Sequence, residues 1–123
     1  MFIDNSTKEK LSKMTRQELD QLDFGAVKID ATGKVIMYNK YESDLAGVSP
    51  AVAEGKNFFT EVAPCTNNRL FLGKFKQGVT AKNLDSAFNY TFTYKMKPTN
   101  VVIHLLHIPA DNSNWILVKK KAA

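Results

Sequence analysis

A chain of 123 residues, 44% of them hydrophobic and 24% charged, has the size and composition of one soluble globular domain that buries a core without disulfides or structural metal. No apolar run approaches the ~20 residues that cross a bilayer, and Met1-Phe2-Ile3-Asp4-Asn5 lacks the basic-then-apolar order of a secretion signal, so a cytoplasmic location without membrane association is expected. The net charge of +5 comes from lysines scattered along the chain, whose only run, Lys119-Lys120-Lys121, is terminal, and this reads as a solvated surface rather than a nucleic-acid footprint.

The chain opens with two short helices, since Ser6-Thr7-Lys8-Glu9 and Thr15-Arg16-Gln17-Glu18 each place a hydroxyl three residues before a glutamate, the pattern of a capping box. Leu11, Met14, Leu19 and Leu22 give them a thin apolar stripe, too small to be stable alone. Residues 1–24 are therefore predicted to be a detachable helical cap on a core of residues 25–123, the two forming a single structural domain.

From Gly25 the pattern changes. Residues 26–30 and 34–38 read as strands around the turn Asp30-Ala31-Thr32-Gly33, in which Gly33 takes positive φ. Asn39 caps a helix running to about Ala46, and Ser49-Pro50 starts another that Gly55 closes. A longer helix is predicted from about Arg69 to Thr80, with Leu72, Phe75 and Val79 on one face. The clearest periodicity follows: Phe88, Tyr90, Phe92, Tyr94 and Met96 alternate with polar residues, as in a strand with one buried face. Two further strands span residues 101–108 and 115–118, separated by the turn at Asp111-Asn112-Ser113-Asn114. Two strands, several helices and three strands predict an α+β domain with a five-stranded antiparallel sheet and a ligand site between sheet and helices.

Few residues carry chemistry. Cys65, the only cysteine, stands in Ala63-Pro64-Cys65-Thr66 after the apolar stretch 57–62; it is either a small buried hydrophobe or an attachment point. Its solitude excludes an internal disulfide and fits a reducing compartment. Tyr38 and Glu42 are four apart and share one side of the helix if its first turn includes Tyr38, where a neutral carboxyl and a phenol are both proton donors in hydrogen bonds. Asn39 also makes Glu42 the return partner of a capping box, and from the residues alone both readings stand. His104 and His107 lie an odd number apart on a strand, face opposite sides and do not form a metal site; no thiol-enzyme signature or phosphate-binding glycine motif is present.

Leu22-Asp23-Phe24-Gly25-Ala26, Gly55-Lys56-Asn57-Phe58-Phe59, Val62-Ala63-Pro64-Cys65-Thr66, Gly73-Lys74-Phe75 and Tyr90-Thr91-Phe92, together with Tyr38 and Glu42, closely resemble the photoactive yellow protein family of blue-light receptors built on the PAS fold. The resemblance is collinear from about Met14 to Val118. It implies a helical cap and a five-stranded antiparallel sheet with helices mainly on one face, no enzymatic activity, and p-coumaric acid held as a thioester on Cys65. Tyr38 and Glu42 match the residues that hydrogen-bond the phenolate oxygen, Glu42 being the proton donor. The Cys65 amide matches the donor to the thioester carbonyl. Phe92 and Met96 match residues that line the pocket and assist thermal return, with Tyr90, Tyr94, Val62, Ala63 and Thr66 as walls.

Two positions depart from the best-known members of that family, Ala46 where they carry a supporting threonine and Val48 where they carry a shielding arginine. Altered colour tuning and a mixed dark population of phenolate and phenol are expected from this pair. The resemblance further implies a monomer that signals to an unidentified downstream protein through partial unfolding of the cap. The rival reading is a PAS-like module that binds another ligand or a protein partner, with Cys65 simply buried.

Overall fold

The computed structural model describes residues 4–93 and 98–121. Helix α1 (Asn5–Leu11) starts at Asp4, whose carboxylate accepts from the Thr7 amide at 2.7 Å, so the cap is Asp4 rather than the predicted Ser6. Helix α2 (Arg16–Asp20) has the predicted reciprocal box: Glu18 N–H donates to the Thr15 hydroxyl at 3.2 Å, and Thr15 N–H to the Glu18 carboxylate at 3.0 Å.

Strands β1 (Gly25–Ile29) and β2 (Val35–Tyr38) form the expected hairpin. Gly33 has φ +96°, and Asp30 fixes the turn by accepting from Thr32 N–H and Lys34 N–H, each at 2.9 Å. Helix α3 (Lys40–Ala46) follows, then α4 (Pro50–Ala53), started by Ser49 with Pro50 in its first turn.

Two stretches are wound more widely than an α-helix, as π-type turns: Phe58–Val62, where only an apolar stretch was predicted, and Arg69–Gly73, the first part of the predicted long helix. The remainder of that helix is α5 (Lys74–Ala81). Asparagine side chains hold the entry of both π turns, Asn57 accepting from Phe59 N–H at 2.9 Å and Asn68 from Phe71 N–H at 3.0 Å. Between them lies a single 3-10 turn, Pro64–Thr66, which carries Cys65.

Strand β3 (Asp85–Phe92) begins three residues before the predicted start, because Asp85 and Ser86 continue the ladder by pairing with Leu106 and Leu105 of β4 (Thr99–Ile108). Its side chains alternate as predicted up to Phe92; Tyr94 and Met96 lie outside the described residues. Strand β5 (Ser113–Lys120) completes an all-antiparallel sheet in the order β2-β1-β5-β4-β3.

Strand periodicity divides the core. Val27, Ile29, Val101, Ile103, Ile116 and Val118 point to the face covered by α3–α5 and the π turns. Ala26, Leu106, Ile108, Trp115 and Leu117 point to the other, where Leu11 and Leu19 of α1 and α2 cover them. His104 and His107 obey the same rule and are both buried. His104 Nε2 meets the Asp85 carboxylate, which also takes the Lys8 ammonium at 2.9 Å; His107 Nδ1 lies 2.7 Å from Asn114 Oδ1.

Candidate functional site

The helix-covered side of the sheet holds a small pocket, with about 20 Å³ of free space, lined by Tyr38, Glu42, Ala46, Val48, Phe58, Val62, Ala63, Cys65 and Phe92. A single cavity therefore gathers β2, α3, the turn after α3, the first π turn, the cysteine loop and β3.

Tyr38 is the last residue of β2 and not part of α3, whose cap is Asn39, so the shared helix face does not form. The strand end and the first helical turn nevertheless deliver both side chains to the same space. Asn39 accepts from Glu42 N–H at 3.2 Å, but the Glu42 carboxyl does not return the capping bond; the Asn39 N–H donates instead to the Ala26 carbonyl at 3.2 Å. The return half of the capping box is therefore not formed, and Glu42 lines the pocket instead.

The Tyr38 hydroxyl and Glu42 Oε1 are buried and have no hydrogen-bond partner among the described residues. An unsatisfied buried polar group costs about 1–3 kcal/mol, so two on residues lining one pocket need an explanation. Burial pushes the Glu42 carboxyl up to about 8 from 4.5, keeping it protonated and able to donate at neutral pH. Burial, with the neighbouring Glu42 charge in second place, pushes the Tyr38 phenol further above its ordinary value of 10.0. Both groups are thus neutral donors, suited to an anionic oxygen.

Asn39 ties this corner to the cap. Its Oδ1 accepts from Ala26 N–H at 2.9 Å in addition to Glu42 N–H, and its Nδ2 donates to the Leu19 carbonyl at 2.8 Å and the Phe24 carbonyl at 3.0 Å. A single buried amide so connects α2, the entry to β1 and the backbone of the buried acid.

The half-buried Cys65 lines the same pocket. Its carbonyl accepts from the Tyr90 hydroxyl and, at 3.1 Å, from Asn68 Nδ2. Thr66 donates its hydroxyl to the Ala63 carbonyl at 2.7 Å. Tyr90 and Thr66 accordingly brace the loop from outside the lining, whereas Val62, Ala63, Phe92, Ala46 and Val48 are in it. Phe58 is a lining residue that sequence reasoning missed; the adjacent Phe59 is equally buried, and nothing local separates the one facing the cavity from the one packing on Phe75. Among the described residues the lining carries no cation, and no cluster of metal-ligating side chains is found.

A sheet of this order, with a pocket between it and the intervening helices, defines a PAS domain, and residues 13–118 match the PAS fold family. The chain is 45% identical over 119 residues to photoactive yellow protein of Halochromatium salexigens, covering 97% of this chain and 95% of that one. To photoactive yellow protein of Rhodothalassium salexigens it is 39% identical over 119 residues, with the same two coverages of 97% and 95%. Among solved structures, the photoactive yellow protein domain of the sensor histidine kinase Ppr from Rhodospirillum centenum superposes with a TM-score of 0.87 at 40% identity, over 92% of this chain and 99% of that one. The chain belongs to the photoactive yellow protein family of PAS-fold photoreceptors.

Proposed function

We propose that this protein is a blue-light receptor carrying p-coumaric acid as a thioester on Cys65, with the phenolate oxygen accepting from Tyr38 and Glu42. The observation that carries the reading is the pair of orphaned buried oxygens, Tyr38 Oη and Glu42 Oε1, on two residues that line the same pocket as Cys65, the only cysteine. A buried phenolate is costly unless donors replace its lost hydration, and two neutral acids are what such an anion needs. When bound, the chromophore supplies blue-light absorption and isomerisation about its vinyl bond.

The chain's own residues do the rest. The Cys65 amide serves as donor to the thioester carbonyl, while Phe58, Val62 and Phe92 exclude water from the ring. Phe92, together with Met96, assists thermal return. After illumination the Glu42 proton would pass to the phenolate oxygen that Glu42 hydrogen-bonds, leaving Glu42 as a buried carboxylate with no cation in the described lining. An unpaired buried charge costs on the order of several kcal/mol, comparable with the stability of a small domain. Asn39 transmits that stress, because the amide bonded to the Glu42 backbone also holds Leu19 and Phe24. Residues 1–24 then detach as the signalling event, read by a partner protein in the cytoplasm.

The test is the absorption spectrum and intact mass of the protein after incubation with activated p-coumaric acid, beside Cys65→Ser. A photoreversible visible band and one added p-coumaroyl group, both absent from Cys65→Ser, are expected. A wild-type protein that stays colourless and unmodified would favour the PAS module that binds another ligand.

A further inference from the structure

Gly25, the first residue of β1, has no positive φ to explain it, and it stands where the cap ends and the sheet begins. A Cβ built on it would lie 2.9 Å from Glu42 Oε1, 3.2 Å from Glu42 Cβ and 3.3 Å from Val118 Cβ. What glycine leaves open at this position is space rather than backbone conformation, and the nearest atom to that space is the carboxyl oxygen without a hydrogen-bond partner. We propose that Gly25 is the positioning residue for the buried acid: by having no side chain it lets the Glu42 carboxyl lie against β1 and fixes how far that group projects into the cavity.

The clash is specific in direction. A methyl group at residue 25 forces Oε1 back by about half an ångström to reach ordinary contact distance. With β1 behind it and the cavity before it, the carboxyl moves toward the cavity. Because Gly25 follows Phe24, whose carbonyl is held by Asn39, the same contact joins the acid to the hinge of the cap. The titratable side chains that share the cavity with the Glu42 carboxyl, among the described residues, are Tyr38 and Cys65. Neither contacts residue 25 in the way Glu42 does, so a change at residue 25 is read by Glu42 first.

This role rests on Glu42 being the proton donor, but its test does not need the chromophore. Ligand-free wild type, Gly25→Ala, Glu42→Ala and the double variant are compared by folding, and the Glu42 carboxyl carbon is titrated by NMR in the wild type and Gly25→Ala. In Gly25→Ala the Glu42 midpoint is expected to move by about half a unit or more, with the Asp and Glu signals elsewhere unchanged. If Gly25→Ala does not fold, the double variant, which lacks the carboxyl, is expected to fold. An unmoved Glu42 midpoint in a folded Gly25→Ala protein, or a double variant as unfolded as Gly25→Ala, overturns the proposal. In protein loaded with p-coumaric acid, Gly25→Ala displaces the visible band, and does so no longer once Glu42 is alanine. Failure of the wild type to take up p-coumaric acid rejects the photoreceptor chemistry and leaves the carboxyl titration to decide the role of Gly25.

Discussion

Glu42 governs the pH behaviour of the ligand-free protein. Its folded pKa of about 8 lies above the ordinary 4.5, so the native state binds more protons than the unfolded chain across that interval. Stability is therefore full below about 4.5, falls as pH rises through the window and levels off above about 8, a total on the order of several kcal/mol. Glu42→Gln removes this slope, which urea unfolding at a series of pH values checks; parallel wild-type and variant curves would show that burial does not hold the carboxyl neutral. Ala46 and Val48 belong to the same scale. They put methyl groups in the pocket lining that Tyr38 and Glu42 share, and on the proposed function Ala46→Thr is expected to enlarge the phenolate fraction at neutral pH, read as a gain of visible over near-ultraviolet absorbance. Tyr38, Glu42 and Cys65 stood out through the family resemblance rather than through spacing, since the shared helix face suggested by the four-residue interval does not form, yet all three line one pocket. Gly25 offered no functional group to single out, since its contribution is a missing atom, and Phe58 could not be told from Phe59 because both are buried aromatics of one π turn.

Asn39 is the element-scale counterpart. Asn39→Ala strips the N-cap of α3 and leaves the Leu19 and Phe24 carbonyls and the Ala26 amide short of a partner, a loss of about 2–4 kcal/mol. Amide exchange in residues 16–24 should rise with it more than exchange in β4 and β5; a uniform increase over all strands would mean that Asn39 supports the whole domain and not the cap junction. The cap also has a built-in reporter. Trp115, the only tryptophan, is buried beneath α1 and α2 with its indole N–H donating to the Ser113 hydroxyl at 2.9 Å. If illumination lifts the cap, Trp115 fluorescence moves to longer wavelength and becomes open to quenchers. An emission spectrum identical in light and dark would contradict cap release. The regular elements were readable from period-2 and capping patterns, which are local. The π turns were not, because their widening comes from long-range packing of Phe58, Phe59 and Phe71 against one another and against β3, and no propensity encodes it. The early start of β3 was missed for a similar reason: Asp85 and Ser86 lack the aromatic alternation that begins at Phe88 and join the strand by pairing with β4.

At the scale of the molecule, the sheet is shared between two cores of unequal size. The larger contains the pocket-lining residues, and the smaller is covered by Leu11 and Leu19 of the short helices α1 and α2 with Met14, Leu22 and Phe24 beside them. On the proposed function, a free energy of several kcal/mol released at Glu42 opens the smaller core while the larger persists. The expected pattern of light-minus-dark amide exchange is loss of protection before Gly25 with β1, β4 and β5 retained. Equal exchange in the two conditions would remove cap release from the account. The measurement that reaches the central claim most directly is the light-minus-dark infrared spectrum of the p-coumaroyl protein, beside Glu42→Gln. Transfer of the buried proton predicts loss of a carboxylic C=O band and gain of a carboxylate band, both missing from Glu42→Gln; a wild-type spectrum with no carboxyl change would show that Glu42 keeps its proton and that the orphaned pair serves only to bind.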